Sequence, residues 1–111
     1  MSSVLRSLRT AGIGTTAAII GAYTAPAVTT GVVISGLTLA NQIGSVIAVT
    51  CYINSGGTNY YLCVGAGLLP GGSLTLADEG NRIVLNSGDT VVVQSNTAAS
   101  VTAIMSVAEI T

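Results

Sequence analysis

Apolar and polar residues alternate along most of this chain with the two-residue period of half-buried strands, and turn clusters interrupt the alternation about every 8–12 residues. The clearest stretch covers residues 45–65, SVIAVTCYINSGGTNYYLCVG. Ile47, Val49, Cys51 and Ile53 fall on one face, and Val46, Ala48, Thr50 and Tyr52 on the other. Ser55, Gly56, Gly57, Thr58 and Asn59 form a cluster that tolerates the backbone angles of a tight turn. The pattern predicts a hairpin. A turn centred on Gly57 sets Cys51 opposite Cys63 and Ile53 opposite Tyr61, with Tyr52 and Tyr60 off the Cys51 face.

The same reading runs through the rest of the chain. Residues 15–24 predict a strand that Pro26 ends, because proline cannot donate to a ladder. Residues 31–41 predict a second, with Val33, Ser35, Leu37 and Leu39 on one face and Val32, Ile34, Gly36 and Thr38 on the other. Pairing Leu39 with Ile47, Leu37 with Val49, Ser35 with Cys51 and Val33 with Ile53 joins its core face to that of the hairpin. Short strands follow at residues 72–77, 82–85 and 90–95, the last with Val91 and Val93 inward. The final strand, 101–110, places Val101, Ala103, Met105 and Val107 on one face. No window shows sustained helical periodicity. About eight short strands at this spacing predict an all-β antiparallel sandwich of jelly-roll type. Residues 15–111 form that domain. Residues 1–14 read as a short N-terminal arm, with room for a helical turn around Arg6 and Arg9 and contact with a neighbouring chain as its role.

Composition agrees with strands and adds a surface argument. The 111 residues are one domain's worth, half of them hydrophobic, with neither Phe nor Trp, so the core must be aliphatic. Only three basic and four acidic residues occur, and none lies between Arg9 and Asp78. Soluble domains carry about a quarter of their residues as charges. A surface this poor in charge is expected to pack against copies of itself or another protein, where charge would be costly to desolvate. The competing reading is a free surface coated with Ser, Thr, Asn and Gly. With a net charge of −1, there is no electrostatic footprint for nucleic acid. No run of about 18 apolar residues escapes interruption, so no membrane span is expected. Gly12, Gly14, Thr15 and Thr16 break the apolar stretch behind Arg9, which argues against a secretory leader there.

Candidate chemistry is sparse. Histidine is absent, which removes Ser-His-Asp and Cys-His arrangements. Asp78 and Glu79 are adjacent and would diverge in a strand, so they make a poor acid–base pair. Together with Asn81 and Asp89 they match no calcium-loop spacing. The glycines at 65, 67, 71 and 72 precede no helix and read as turn residues rather than a phosphate loop. No catalytic residue, metal site or cofactor is expected. Cys51 and Cys63 remain open between a cross-strand disulfide and two buried thiols. Arg6, Arg9, Tyr52 and Tyr60 are the candidate interface residues. Exposed tyrosines can also stack on sugars, although cross-strand packing explains them as well.

Several segments together resemble a loosely defined set of small virion proteins of tailed bacteriophages. They are Tyr23-Thr24-Ala25-Pro26, the run from Ile34 to Asn41, Leu69-Pro70-Gly71-Gly72-Ser73-Leu74, the run from Ile83 to Thr90, and Ser106-Val107-Ala108-Glu109-Ile110. The likeness covers roughly four fifths of the chain and rests mainly on strand-and-turn grammar. It implies a β-sandwich that decorates or cements the head, or builds the neck, collar or tail, and it carries over no catalytic residue. It implies localisation in the virion. The expected partners are copies of the chain, a trimer among the options, and other virion proteins such as the major capsid, neck or tail proteins. The alternative from another class is a carbohydrate- or host-receptor-binding module of a tail or fibre, with Tyr52 and Tyr60 as stacking residues.

Overall fold

The computed structural model describes residues 3–26, 31–78 and 80–110. Among them are nine strands and no helix. In chain order these are β1 (Ser3–Ile13), β2 (Ala18–Thr24), β3 (Gly31–Asn41), β4 (Ile47–Ser55), β5 (Thr58–Leu68), β6 (Ser73–Ala77), β7 (Ile83–Leu85), β8 (Thr90–Ser95) and β9 (Val101–Ile110). Sheet A has the order β1-β9-β3-β6, with β7 also on β3, and sheet B the order β2-β8-β4-β5. All pairs are antiparallel. Pairing is nested: β1 with β9, β2 with β8, β3 with β6 and β7, and β4 with β5. That nesting is the jelly roll.

The core is the aliphatic layer that alternation predicts. Met105, Val107, Ala103 and Val101 of β9 and Val91 and Val93 of β8 point into it, as expected. Ile47, Val49 and Cys51 of β4 do the same from sheet B. Every described buried side-chain polar atom has a hydrogen-bond partner.

Strand β3 departs from the expected faces. Its buried apolar residues are Val32, Ile34, Leu37 and Leu39. The register against β9 slips between Ile34 and Gly36, so Ser35 is an extra residue and the inward parity changes there. The expected pairing of β3 with β4 is also corrected. Leu37 and Leu39 lie beside Met105 and Ala103 of β9, while β4 lies between β5 and β8. Residues 42–46 carry the chain from one sheet to the other, so the two core faces oppose each other across the sandwich. Asn41 holds this crossing: its side-chain amide donates to the carbonyls of Ser45 (2.8 Å) and Leu68 (3.2 Å), and its Oδ1 accepts from the Ile43 amide (3.0 Å).

The segment expected as an arm with a helical turn is different as well. Met1 and Ser2 lie outside the described residues. Ser3–Ile13 is strand β1, paired with β9 from Ser3↔Ile110 to Ile13↔Val101. It turns back close against β2. The Gly21 amide donates to Thr10 Oγ1 at 2.7 Å, and a Cβ on Gly21 would stand 3.0 Å from that of Leu8. Gly21 also has φ +60°, so glycine is required at this corner on two counts.

Candidate functional surface

Directly opposed residues of a sheet share a face, so register defines what each outer face presents. On sheet B, Ile19 of β2 lies opposite Val92 of β8, Val92 opposite Tyr52 of β4, and Tyr52 opposite Tyr61 of β5. An apolar and aromatic row therefore crosses the whole sheet. Val92, flanked by Ile19 and Tyr52, is only 6% exposed, whereas Tyr61 at the end of the row is 56% exposed. The rings of Tyr52 and Tyr61 stand 5.2 Å apart, tilted by 57°. None of the four strands of sheet B contains a charged residue.

Sheet A carries a second row on its outer face: Leu5 of β1, Ala108 of β9, Val33 of β3 and Val84 of β7. Its ends are open, with Leu5 81% and Val84 62% exposed. Arg9 shares this outer face, opposite Ile104, and its Nε donates to Ser7 Oγ at 3.1 Å.

Arg6 turns the other way, beside Val107 on the inner side of β1. Its Nε donates to Glu109 Oε1 at 2.8 Å. Glu109 Oε2 accepts from the Tyr23 hydroxyl of β2 at 2.5 Å. One buried carboxylate thus ties β1, β9 and β2 together where the two sheets meet. The Tyr23 hydroxyl and then the Arg6 guanidinium hold the Glu109 carboxyl below the usual carboxylate range. Burial first, then the hydrogen bond to Glu109, push Tyr23 up. The arrangement is an ion-pair and hydrogen-bond cluster that joins the two sheets, with the Arg6 side chain about half exposed.

The remaining candidates sit as follows. Cys51 and Cys63 are directly opposed, as the sequence predicts. Ile53 lies opposite Tyr60 rather than Tyr61, and Tyr52 opposite Tyr61. The turn is the two residues Gly56 and Gly57, closed by Ser55↔Thr58, and Leu62 is an extra residue between the Tyr61 and Cys63 pairings. Tyr60 accordingly shares the face of Ile53, and Tyr52 and Tyr60 lie on opposite faces with no common stacking platform. Asp78 Oδ1 accepts from the Gly80 amide at 2.9 Å and Asp89 Oδ2 from the Asn86 amide at 3.0 Å, so both acids serve turns. Glu79 lies outside the described residues. No three His, Cys, Asp or Glu side chains gather for a metal among the described residues. An open depression of about 400 Å³ beside the β1–β2 turn, lined by Thr10, Gly12, Thr15, Thr16 and Ala98 among others, presents no ionisable side chain.

These features define a jelly-roll β-sandwich with an apolar row across the outer face of each sheet. The sequence matches no protein-family model and no curated protein. Among solved structures it is similar to a chain from Bacillus endospore appendages, which form disulfide-linked pili. That alignment has a TM-score of 0.61 and 21% identity, over 98% of this chain and 88% of the other. Weaker alignments reach a chain of the T13 IBDV viral particle (TM-score 0.46, 11% identity, 96% of this chain and 35% of that one). A chain of the infectious bursal disease virus Gt strain follows (TM-score 0.42, 12% identity, 100% and 36%). The appendage chain shares the fold.

Proposed function

We propose that this chain is a non-enzymatic structural subunit that assembles with copies of itself. The observation that carries the reading is the charge-free sheet B, crossed from edge to edge by Ile19, Val92, Tyr52 and Tyr61. Contact cores are depleted of charge and enriched in tyrosine. The second row, from Leu5 to Val84, offers the opposite face of the same subunit to a neighbour. Strand β5, with eleven residues and neither charge nor proline, leaves backbone groups open along one edge. Arg9 and Leu5 on β1 are the residues of the N-terminal segment that would meet an adjoining copy.

Within that reading, the assembly is a tailed-phage virion, with the chain as head decoration or cement, or as a neck, collar or tail component. The resemblance of the strand-and-turn segments supports this placement, and the fold shared with a pilus chain is compatible with repetitive assembly outside a cell. Labelling purified particles from the source with an antibody against the chain tests it. Label spread over heads supports a decoration protein, and label at one vertex or along the tail supports a neck or tail part. Particles without label overturn the phage placement. Light scattering and electron microscopy of the purified chain test self-assembly separately, and a strictly monomeric protein at high concentration overturns it.

A further inference from the structure

Cys51 and Cys63 face each other across β4 and β5 at the step between two irregularities of the ladder. Leu62 is the extra residue on one side, and on the other Val64 and Gly65 together oppose the single residue Thr50, so the cysteines are the aligned pair between two bulges. Directly opposed antiparallel residues have Cα atoms about 4.5–5.5 Å apart, inside the range that a disulfide spans. Cys51 is buried and Cys63 partly exposed, and both pack on the same core cluster. Cys63 Sγ already leans over β4, 3.8 Å from the Val49 carbonyl oxygen. Burial raises both thiols, Cys51 to about 12, so in the reduced chain both rest protonated.

We propose that Cys51 and Cys63 are an oxidation site, two thiols that close to an intramolecular disulfide when the chain meets a small-molecule disulfide of the glutathione type. Cys63 is the entry point because it is the more exposed residue of the two. Its thiol gives its proton to water, and the thiolate attacks one sulfur of the oxidant. The oxidant's S–S bond breaks, and one thiolate leaves and takes up a proton. Cys51 then loses its proton, attacks Cys63 Sγ in the mixed disulfide and displaces the second thiolate, which is protonated in turn. Two cysteine sulfurs are oxidised, and one small disulfide is reduced to two thiols. The product staples edge strand β5 to β4, which the core already holds. The site stands whether or not copies of the chain assemble.

The test uses the full chain incubated with oxidised glutathione, then unfolded, alkylated and weighed intact. The expected product is a monomer lighter by two hydrogens that takes up no alkyl label, and reduction restores two labels. Its melting temperature is expected to exceed that of the reduced chain by at least about 5 °C. Cys63→Ser, a change at the partly exposed position, is expected to melt at one temperature in both buffers. A chain that still takes two labels, a glutathione adduct that persists on Cys63, or disulfide-linked dimers on a non-reducing gel would each overturn the proposal. An oxidised monomer that melts with the reduced one would refute the stapling of β5.

Discussion

The two sheets enclose one core but treat charge in opposite ways. Sheet A holds Arg6, Arg9 and Glu109 on its strands, and sheet B holds none. Sheet A spends two of these charges at the rim, where Glu109 receives hydrogen bonds from Arg6 and from Tyr23 of the other sheet. One of its edges is made of short pieces, the five residues of β6 and the three of β7, and the other is the eleven-residue β1, which carries Arg6 and Arg9. Sheet B has an eleven-residue edge without charge, β5, and bears the tyrosine row on its outer face. Scarcity of charge in this chain is therefore not uniform dilution. It is concentrated on one sheet, whose outer face carries the tyrosine row and whose long edge β5 bears no charge.

The largest effect tests whether the sheets share one core. Leu37→Ala in sheet A and Ile47→Ala in sheet B, both fully buried, should each lose about 2–5 kcal/mol of stability by denaturant unfolding. A sheet B loss near zero would mean that sheet A stands alone. Next comes the surface contrast. Paired Tyr52→Arg and Tyr61→Arg changes should weaken self-association by about 100-fold or more, through like charges brought together, while the monomer stays folded. Arg9→Ser on sheet A should weaken association by no more than about threefold by light scattering, since a solvent-exposed charge is worth little even where it meets a neighbour. An equal loss from Arg9→Ser would abolish the distinction between the faces.

The rim cluster gives smaller effects. Tyr23→Phe removes a hydrogen bond to a charged acceptor and should cost about 1.5 kcal/mol. The Glu109 carboxyl titrates below its ordinary 4.5 in the folded chain, so its contribution is complete above that pH and fades as pH falls toward the folded value. The melting difference between the native chain and Glu109→Gln should accordingly be full at pH 7 and shrink below about pH 4.5. A difference that stays constant down to pH 2 would show that Glu109 acts through packing alone. The smallest effect is Gly65→Ala. Its φ of +60° disfavours any side chain, yet a Cβ there meets nothing within 4 Å, so about 1 kcal/mol is expected. A loss of several kcal/mol would indicate that the β5 bulge supports more than its own backbone.

Alternation made most strands legible, together with the inward faces of β4, β8 and β9. It failed where a bulge intervenes, because one extra residue reverses which side chains point inward. Ser35 does this in β3, and Leu62 does it beside Cys63. Only at the cysteines, between the two slips, did a single-register hairpin pair the right residues. Strand β1 was missed for another reason. Its inner face includes Arg6, a residue that alternation counts as outward. The available signal was the oppositely charged Glu109 on the last strand, but matching charges 103 residues apart needs the topology first. The outer rows were illegible for the same reason, since each takes one residue from four strands whose order sequence alone does not set.

Nested pairing also orders events in time. The β4–β5 hairpin closes through a two-residue turn, a local step that takes on the order of microseconds. Sheet A cannot close until β9 finds β1, across most of the chain. Folds dominated by such distant pairings take roughly milliseconds to seconds. During that interval the hairpin, uncharged and holding three of the chain's four tyrosines, stands without its covering sheet. A surface suited to meeting neighbours late is then offered early, and the yield of native chain depends on how dilute its copies are while the first strand waits for the last.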